Sequence, residues 1–203
     1  MNKKEIQKKR IMNYFIDAAK EIVEKDGLQS LSVRKVGDLA GYSYATIYNY
    51  FKDLNTLLYY CILDYLDDCY KYITEELERS INHKKVIGAR ERIELMAISY
   101  AEYFIKNPNQ FQLIFVEDLG KPPQQILERL YKPGVGVLLY NEIQKFAEIK
   151  NLKPKDSETL SDVISYSMHG KLLMHLRGRK STDTNGLIES IKKELNFLFS
   201  KLE

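Results

Sequence analysis

The chain has no tryptophan, two cysteines and five prolines, and no apolar run near the roughly 20 residues that a membrane span needs. Each shortage excludes something. The opening "MNKKEIQKKR" is basic but lacks the apolar stretch of a secretory leader, so a cytoplasmic protein is expected. Cys61 and Cys69, on one helix, would stand roughly 12 Å apart, too far to bridge. His83, His169 and His175 have no ligand spacing with them, so neither a metal nor another cofactor is expected. No nucleophile elbow, glycine-rich phosphate loop or HExxH pair occurs, and an enzyme is not expected.

Charge of one sign is also scarce. The net charge is only +3, too little to mark a nucleic-acid binder by composition. Residues 1–60 hold all of it, with ten Lys or Arg against seven Asp or Glu. Five of those ten cations lie in the first ten residues. Such a basic arm either contacts phosphates or is a solvated tail.

What the chain does have is helical periodicity throughout, without strand-like alternation long enough to build a sheet. Ile11, Phe15, Ala18, Ala19, Ile22 and Val23 form the inward stripe of a first helix, which Gly27 stops with a left-handed cap. Ser32 reads as the N-cap of a second, short helix with Val36, Leu39 and Ala40 inward. In "AGYS", Gly41 is free to take positive φ and Ser43 caps a third helix that ends near Phe51. A long fourth helix is expected from Leu54 to Arg79. Further helices follow at 93–106, after the Asn107-Pro108 restart, after "GKPPQQ", at 156–177 and at 184–202, with a break near Lys132.

The third helix is crowded with phenols: "YSYATIYNYF" spans 42–51. On a helical wheel Ile47 and Phe51 point inward, while Ala45, Thr46 and Asn49 cluster opposite. Tyr48 and Tyr50 fall to either side. In a major groove roughly 12 Å wide, small and amide side chains would meet base edges while the phenols reach phosphates. Tyr42 is expected to pack. Arg34 and Lys35, in the first turn of the second helix, oppose the helix dipole, which makes sense beside a phosphate backbone.

The segment "LSVRKVGDLAGYSYATIYNYFKDLNTLL" resembles the DNA-binding signature of the TetR family of bacterial transcriptional regulators, over about 50 residues. The shared features are the Ser-led second helix, the A-G-x-S turn, T-I-Y-x-Y-F and the Leu pair opening the fourth helix. The resemblance implies an all-α fold. A three-helix helix-turn-helix domain (1–53) would be joined by the long fourth helix to a helical effector-binding and dimerisation domain (54–203). It implies DNA contacts at Arg34, Tyr44, Ala45, Thr46, Tyr48, Asn49 and Tyr50. The family's lysine at the start of the fourth helix is Leu54 here, and Lys52 is the candidate to stand in for it.

The later helices carry "ISYAEYFIKNPNQFQLIF" and "VISYSMHGKLLMHLRG", similar to ligand-binding domains of one branch of that family. Tyr65, Tyr72, Tyr100, Tyr103, Phe104, Phe111, Phe115, Tyr140 and His169 are therefore either effector-lining or core. A pocket built of them would suit a small hydrophobic or aromatic effector, and Asp64, Asp67 and Asp68 would favour a cation if they pointed inward. The last helix has one apolar stripe, Leu187, Ile188, Ile191, Leu195, Leu198, Phe199 and Leu202. Leu187, Ile191, Leu195 and Leu198 are the candidate dimer contacts, since a symmetric partner would cover what the chain's own packing leaves. The expected function is a ligand-responsive repressor that binds a palindromic operator as a homodimer. An activator or architectural DNA-binder with the same head and no inducer, and more remotely a helical small-molecule enzyme, are the alternatives.

Overall fold

A computed structural model of the chain describes residues 2–83, 88–130, 134–179 and 183–202. These hold ten α-helices: α1 (Lys3–Asp26), α2 (Val33–Ala40), α3 (Tyr44–Ile47), α4 (Leu54–His83), α5 (Ala89–Lys106), α6 (Pro108–Phe115), α7 (Gln124–Leu130), α8 (Val135–Lys150), α9 (Pro154–Leu176) and α10 (Thr184–Ser200). Among the described residues there is no strand, and no helix is long and apolar enough to cross a membrane. The break expected near Lys132 lies outside the described residues.

The helices sort into two compact units. One contains residues 1–66 and 107–132, the other 67–106 and 133–203. The division falls inside α4, between three and four turns beyond the 53/54 boundary that the sequence suggests. The reason is packing. Leu57, Leu58, Cys61, Ile62 and Tyr65 of α4 are buried in one cluster with Phe15, Ile16, Ala19, Ile22 and Val23 of α1, and with Val36, Ile47 and Phe51.

In the first unit, α1 starts on a capping box: the Asn2 side-chain Oδ1 accepts from the Glu5 backbone N–H (2.9 Å), and the Glu5 carboxylate accepts from the Asn2 backbone N–H (2.8 Å). The basic N-terminal stretch is therefore ordered helix rather than a loose arm. Gly27 ends α1 at φ +79° but with ψ at 164°, so the stop is not the left-handed cap expected. Gly41 does adopt the left-handed conformation, at φ +76° and ψ +26°. Cys61 in this unit and Cys69 in the second are free, buried thiols. Burial pushes the Cys69 thiol up to about 12 and the Cys61 thiol higher still, so both stay protonated and unreactive at neutral pH.

In the second unit, α5 packs on α8, α9 and α10, and α9 packs on both α8 and α10. The last helix corrects an expectation. Leu187, Ile191 and Leu195 are buried with Phe199, whose ring lies 4.9 Å from that of Phe146. They belong to the unit's own core and have no surface left for a partner. Leu198 is half-buried. A charged group that gave no signal in the sequence also sits here. Glu142 is only 2% exposed. Its carboxylate is held by Lys145 Nζ at 2.8 Å and by Arg92 Nε at 3.1 Å, the latter through charge rather than an aligned hydrogen bond.

Candidate nucleic-acid interface

The Ser32 hydroxyl accepts from the Lys35 backbone N–H (3.2 Å) and starts α2. This leaves Arg34 and Lys35 exposed in the first turn. Val36 and Gly37 are buried, but Leu39 is 48% exposed, not inward as its spacing suggests. Gly37 explains the difference. A Cβ there would lie 3.0 Å from the Tyr42 carbonyl oxygen and from the backbone N and Cα of Tyr44. The turn thus packs directly onto Gly37, rotating the buried arc of α2 away from Leu39.

α3 is shorter than expected. Its α-helical part ends at Ile47, and 48–50 continue as a turn in which Asn49 N–H bonds Thr46 C=O and Tyr50 N–H bonds Ile47 C=O. Four residues of helix cannot sustain themselves in water, so tertiary contacts must hold the segment. Ile47 and Phe51 are its buried anchors. The Phe15 ring lies 5.4 Å from Tyr42, 6.0 Å from Tyr50 and 6.4 Å from Phe51. Tyr42 also stacks on Tyr14 at 6.3 Å. The role of Tyr14 was not legible in the sequence, because it lies off the apolar stripe of α1.

The surface so presented is aromatic and amide. Tyr44 and Tyr48 are 54% and 55% exposed, and Ala45, Asn49 and Lys52 are exposed as well. Thr46 is half-buried, and its hydroxyl pairs with that of Ser43 at 2.9 Å. Ser43 therefore does not cap α3 through its side chain. Tyr50 is half-buried against Phe15.

After Lys52, the Asp53 carboxylate accepts from both the backbone N–H and the hydroxyl of Thr56, each at 2.7 Å, and so starts α4. The Thr56 hydroxyl, then its N–H, hold Asp53 below the usual carboxylate range. A depressed folded pKa means stability that is present above the unfolded value, about 4, and lost as pH falls through the folded one. Asp53→Ala is expected to cost about 1 kcal/mol at neutral pH. Urea unfolding at pH 7 and pH 3 checks this, with a smaller difference from wild type at pH 3.

The other candidate residues separate. Tyr65 is buried in the first unit, where its hydroxyl donates to the Lys20 carbonyl (3.2 Å) beneath Lys20 Nζ. Phe111 is buried there too, 5.1 Å from the Phe115 ring. Both Asp64 and Asp68 face lysines, Lys20 at 3.9 Å and Lys71 at 3.8 Å, and Asp67 is exposed.

The second unit brings five of the candidates together. Tyr72 lies 5.6 Å from Tyr103, and Phe104 lies 5.1 Å from Tyr103 and 4.8 Å from Tyr100. The Tyr100 hydroxyl is 2.7 Å from His169 Nε2. One of these two groups donates to the other, according to the tautomer of His169. Burial holds His169 below its usual value, and burial followed by the field of Cys69 raises Tyr100 well above its own. A neutral imidazole and a protonated phenol thus form a hydrogen bond among aromatic rings. Tyr140 stands on the exposed side of α8. Among the described residues no group of three His, Cys, Asp or Glu is placed to hold a metal ion.

Comparison with known proteins agrees with this architecture. Residues 15–59 match the family model of bacterial regulatory proteins, tetR family. No relative among curated protein sequences matches the chain. Among solved structures, a Rhodococcus sp. RHA1 protein of unknown function is similar at TM-score 0.71 and 19% identity, covering 94% of each chain. The transcriptional regulator FadR from Bacillus subtilis, in complex with stearoyl-CoA, is similar at 0.64 and 17%, covering 92% of this chain and 96% of that one. RolR in complex with resorcinol is similar at 0.66 and 14%, covering 93% and 87%. At such identities the likeness establishes the fold: all-α, with an N-terminal helix-turn-helix domain and a C-terminal helical domain.

Proposed function

We propose that this chain, which carries the DNA-binding head of the TetR family, is a cytoplasmic one-component repressor that binds a palindromic operator as a homodimer. The observation that supports it most is the surface at 44–49. Tyr44, Ala45, Tyr48 and Asn49 stand exposed on a segment whose other side is locked into the core by Ile47, Phe51 and the rings around Phe15. Exposed phenols on a rigid mount are costly to a surface with nothing to bind, and they suit a groove flanked by phosphates. Asn49 is the base-reading amide, and Tyr44 and Tyr48 grip the backbone, with Arg34, Lys35 and Lys52 supplying charge. Thr46, tied to Ser43, offers its methyl group. Tyr50 acts mainly by positioning.

A single short segment reads few base pairs, so two copies are needed. The second unit offers the face for it. Val163, Tyr166, Leu173 and Met174 of α9 and Phe197 of α10 are exposed apolar residues. Nothing lies within 4 Å of a Cβ placed on Gly170, in the middle of that α9 stripe. That flat stretch lets a partner helix approach closely.

For the effector, the cluster of Tyr72, Tyr100, Tyr103, Phe104 and His169 is the favoured recognition element, suited to a small hydrophobic or aromatic molecule with one polar group. Two structures of the same fold hold stearoyl-CoA and resorcinol. An effector acts through its differential affinity for two arrangements of the dimer. α4, whose first turns are core in one unit and whose later turns belong to the other, is the element both arrangements share.

The test is a pair of variants on a selected duplex. Tyr48→Phe is expected to weaken all sequences by a similar factor, a few-fold. Asn49→Ala is expected to lose about 1–3 kcal/mol of discrimination at one base pair of each half-site. Equal losses at every position in both variants would contradict the base-reading role.

A further inference from the structure

The first helix is longer than the core it serves. From its C-terminal half forward, the inward stripe reads Ile22, Ala18, Phe15 and Ile11, all at helical spacing and turned into the first unit. Continued by the same steps, the stripe becomes Lys8 and then Lys4. Every residue from Asn2 to Arg10 is exposed. The helix therefore projects beyond its core, and where the core ends the stripe changes from apolar to cationic.

The direction of that projection can be read from the contacts between α1 and α4. The Cys61 thiol points to the Ile16 carbonyl, and the Tyr65 hydroxyl donates to the Lys20 carbonyl. Both pairs share one offset and run the same way, so the two helices are parallel in this stretch. Carried forward at the same offset of 45, that register sets Lys9 level with Leu54, the first residue of α4. Lys8 and Lys4 lie beyond it by about 1.5 and 7.5 Å along the axis. That end of the unit is where the 48–53 segment enters α4, carrying Tyr48, Asn49 and Lys52. The cationic overhang and the exposed recognition surface therefore project from the same end.

We infer that Lys4 and Lys8 form a second phosphate clamp, which grips duplex DNA just outside the base pairs addressed by residues 44–49. The inference rests on the reading of this head as DNA-binding. A polyanion is the occupant that the chemistry selects. Among the described residues, none of Lys3, Lys4, Lys8, Lys9 and Arg10 is paired with an acid, and Glu5, the one acid of the overhang, is engaged with the Asn2 N–H. The clamp carries no sequence information. It fixes how the head is seated and adds electrostatic affinity.

The wheel supplies an internal control. Lys3 and Arg10 lie about 120–140° round the helix from the Lys4 and Lys8 stripe, and removing them changes net charge by the same amount. The experiment measures binding of full-length protein to its selected duplex by fluorescence anisotropy from about 50 to 300 mM salt. For the Lys4→Gln/Lys8→Gln variant, the slope of log K against log salt is expected to fall by about 1.8 per head, or about 0.9 for each lost phosphate contact. The preferred sequence stays the same. The Lys3→Gln/Arg10→Gln variant is expected to change the slope by less than half as much. Equal changes in the two variants, or none in the first, overturn the inference while leaving the regulator reading intact. If the wild-type protein shows no preferred duplex, the regulator reading itself fails and the clamp with it.

Discussion

Phe15→Ala is expected to cost about 3–5 kcal/mol of stability and to abolish specific DNA binding, although Phe15 itself is wholly buried and touches no partner. Its ring is the hub for Tyr42, Tyr50 and Phe51, the residues on either side of the recognition segment. Truncation removes a buried aromatic and leaves a cavity under a helix of only four residues, which has no independent stability. Domains are stable by only about 5–15 kcal/mol, so a loss of this size takes much of the margin. Tyrosine fluorescence during urea unfolding reads the effect, because the chain has 15 tyrosines and no tryptophan to mask them. Phe15→Leu is expected to lose only about 1–2 kcal/mol and to retain binding. A loss below about 1 kcal/mol for the alanine variant would mean that other contacts seat the segment.

The second large effect concerns assembly. Phe197→Asp is expected to convert the proposed dimer to monomer and to lower affinity for the selected duplex by at least about 100-fold. Phe197 is 60% exposed and Tyr166 71% exposed, yet both are large apolar side chains. Val163, Leu173 and Met174 are exposed apolar side chains of α9 as well. An aromatic anchor at the centre of such an interface is typically worth about 2 kcal/mol or more, and a carboxylate buried in its place adds a desolvation penalty. Sedimentation velocity measures the mass, and anisotropy the affinity. A variant that stays dimeric would place the interface elsewhere on the second unit. The buried stripe of α10 is no place for such a test: polar changes at Ile191 or Leu195 would unfold the unit's core, since both are inaccessible from outside.

Which of these features could be read from the sequence follows from how much each depended on periodicity alone. The helices, the turn at Gly41 and the buried pair Ile47 and Phe51 rested on spacing and on the backbone freedom of glycine, and the structure shows them as expected. Leu39 did not follow, because Gly37 carries no hydrophobic signal yet marks the tightest approach of the turn. The length of α3 was overestimated for a similar reason. A wheel advances about 100° per residue, but the hydrogen bonds at 48–50 tighten the chain after Ile47. In α10, the stripe of Leu187, Ile191 and Leu195 correctly marked a buried face and wrongly suggested what covers it. Periodicity identifies an apolar stripe but not whether the same chain or another one packs on it.

The aromatic candidates show the same limit. Tyr65, Phe111 and Phe115 look like Tyr100 and Phe104 on a wheel, but they lie in the other compact unit. Only their tertiary neighbours distinguish them. Glu142 was missed altogether. A glutamate in a helix is usually solvated, and nothing near it in sequence marks Arg92, on another helix, as its partner.

The central claim is that the exposed residues of 44–49 read a base sequence, and binding selection from a random duplex library at moderate salt tests it most directly. The expected result is enrichment of one two-fold symmetric sequence by the wild-type protein, and a different preference at one base pair of each half-site for Asn49→Ala. A wild-type protein that enriches nothing above the starting library, while remaining folded, would contradict it.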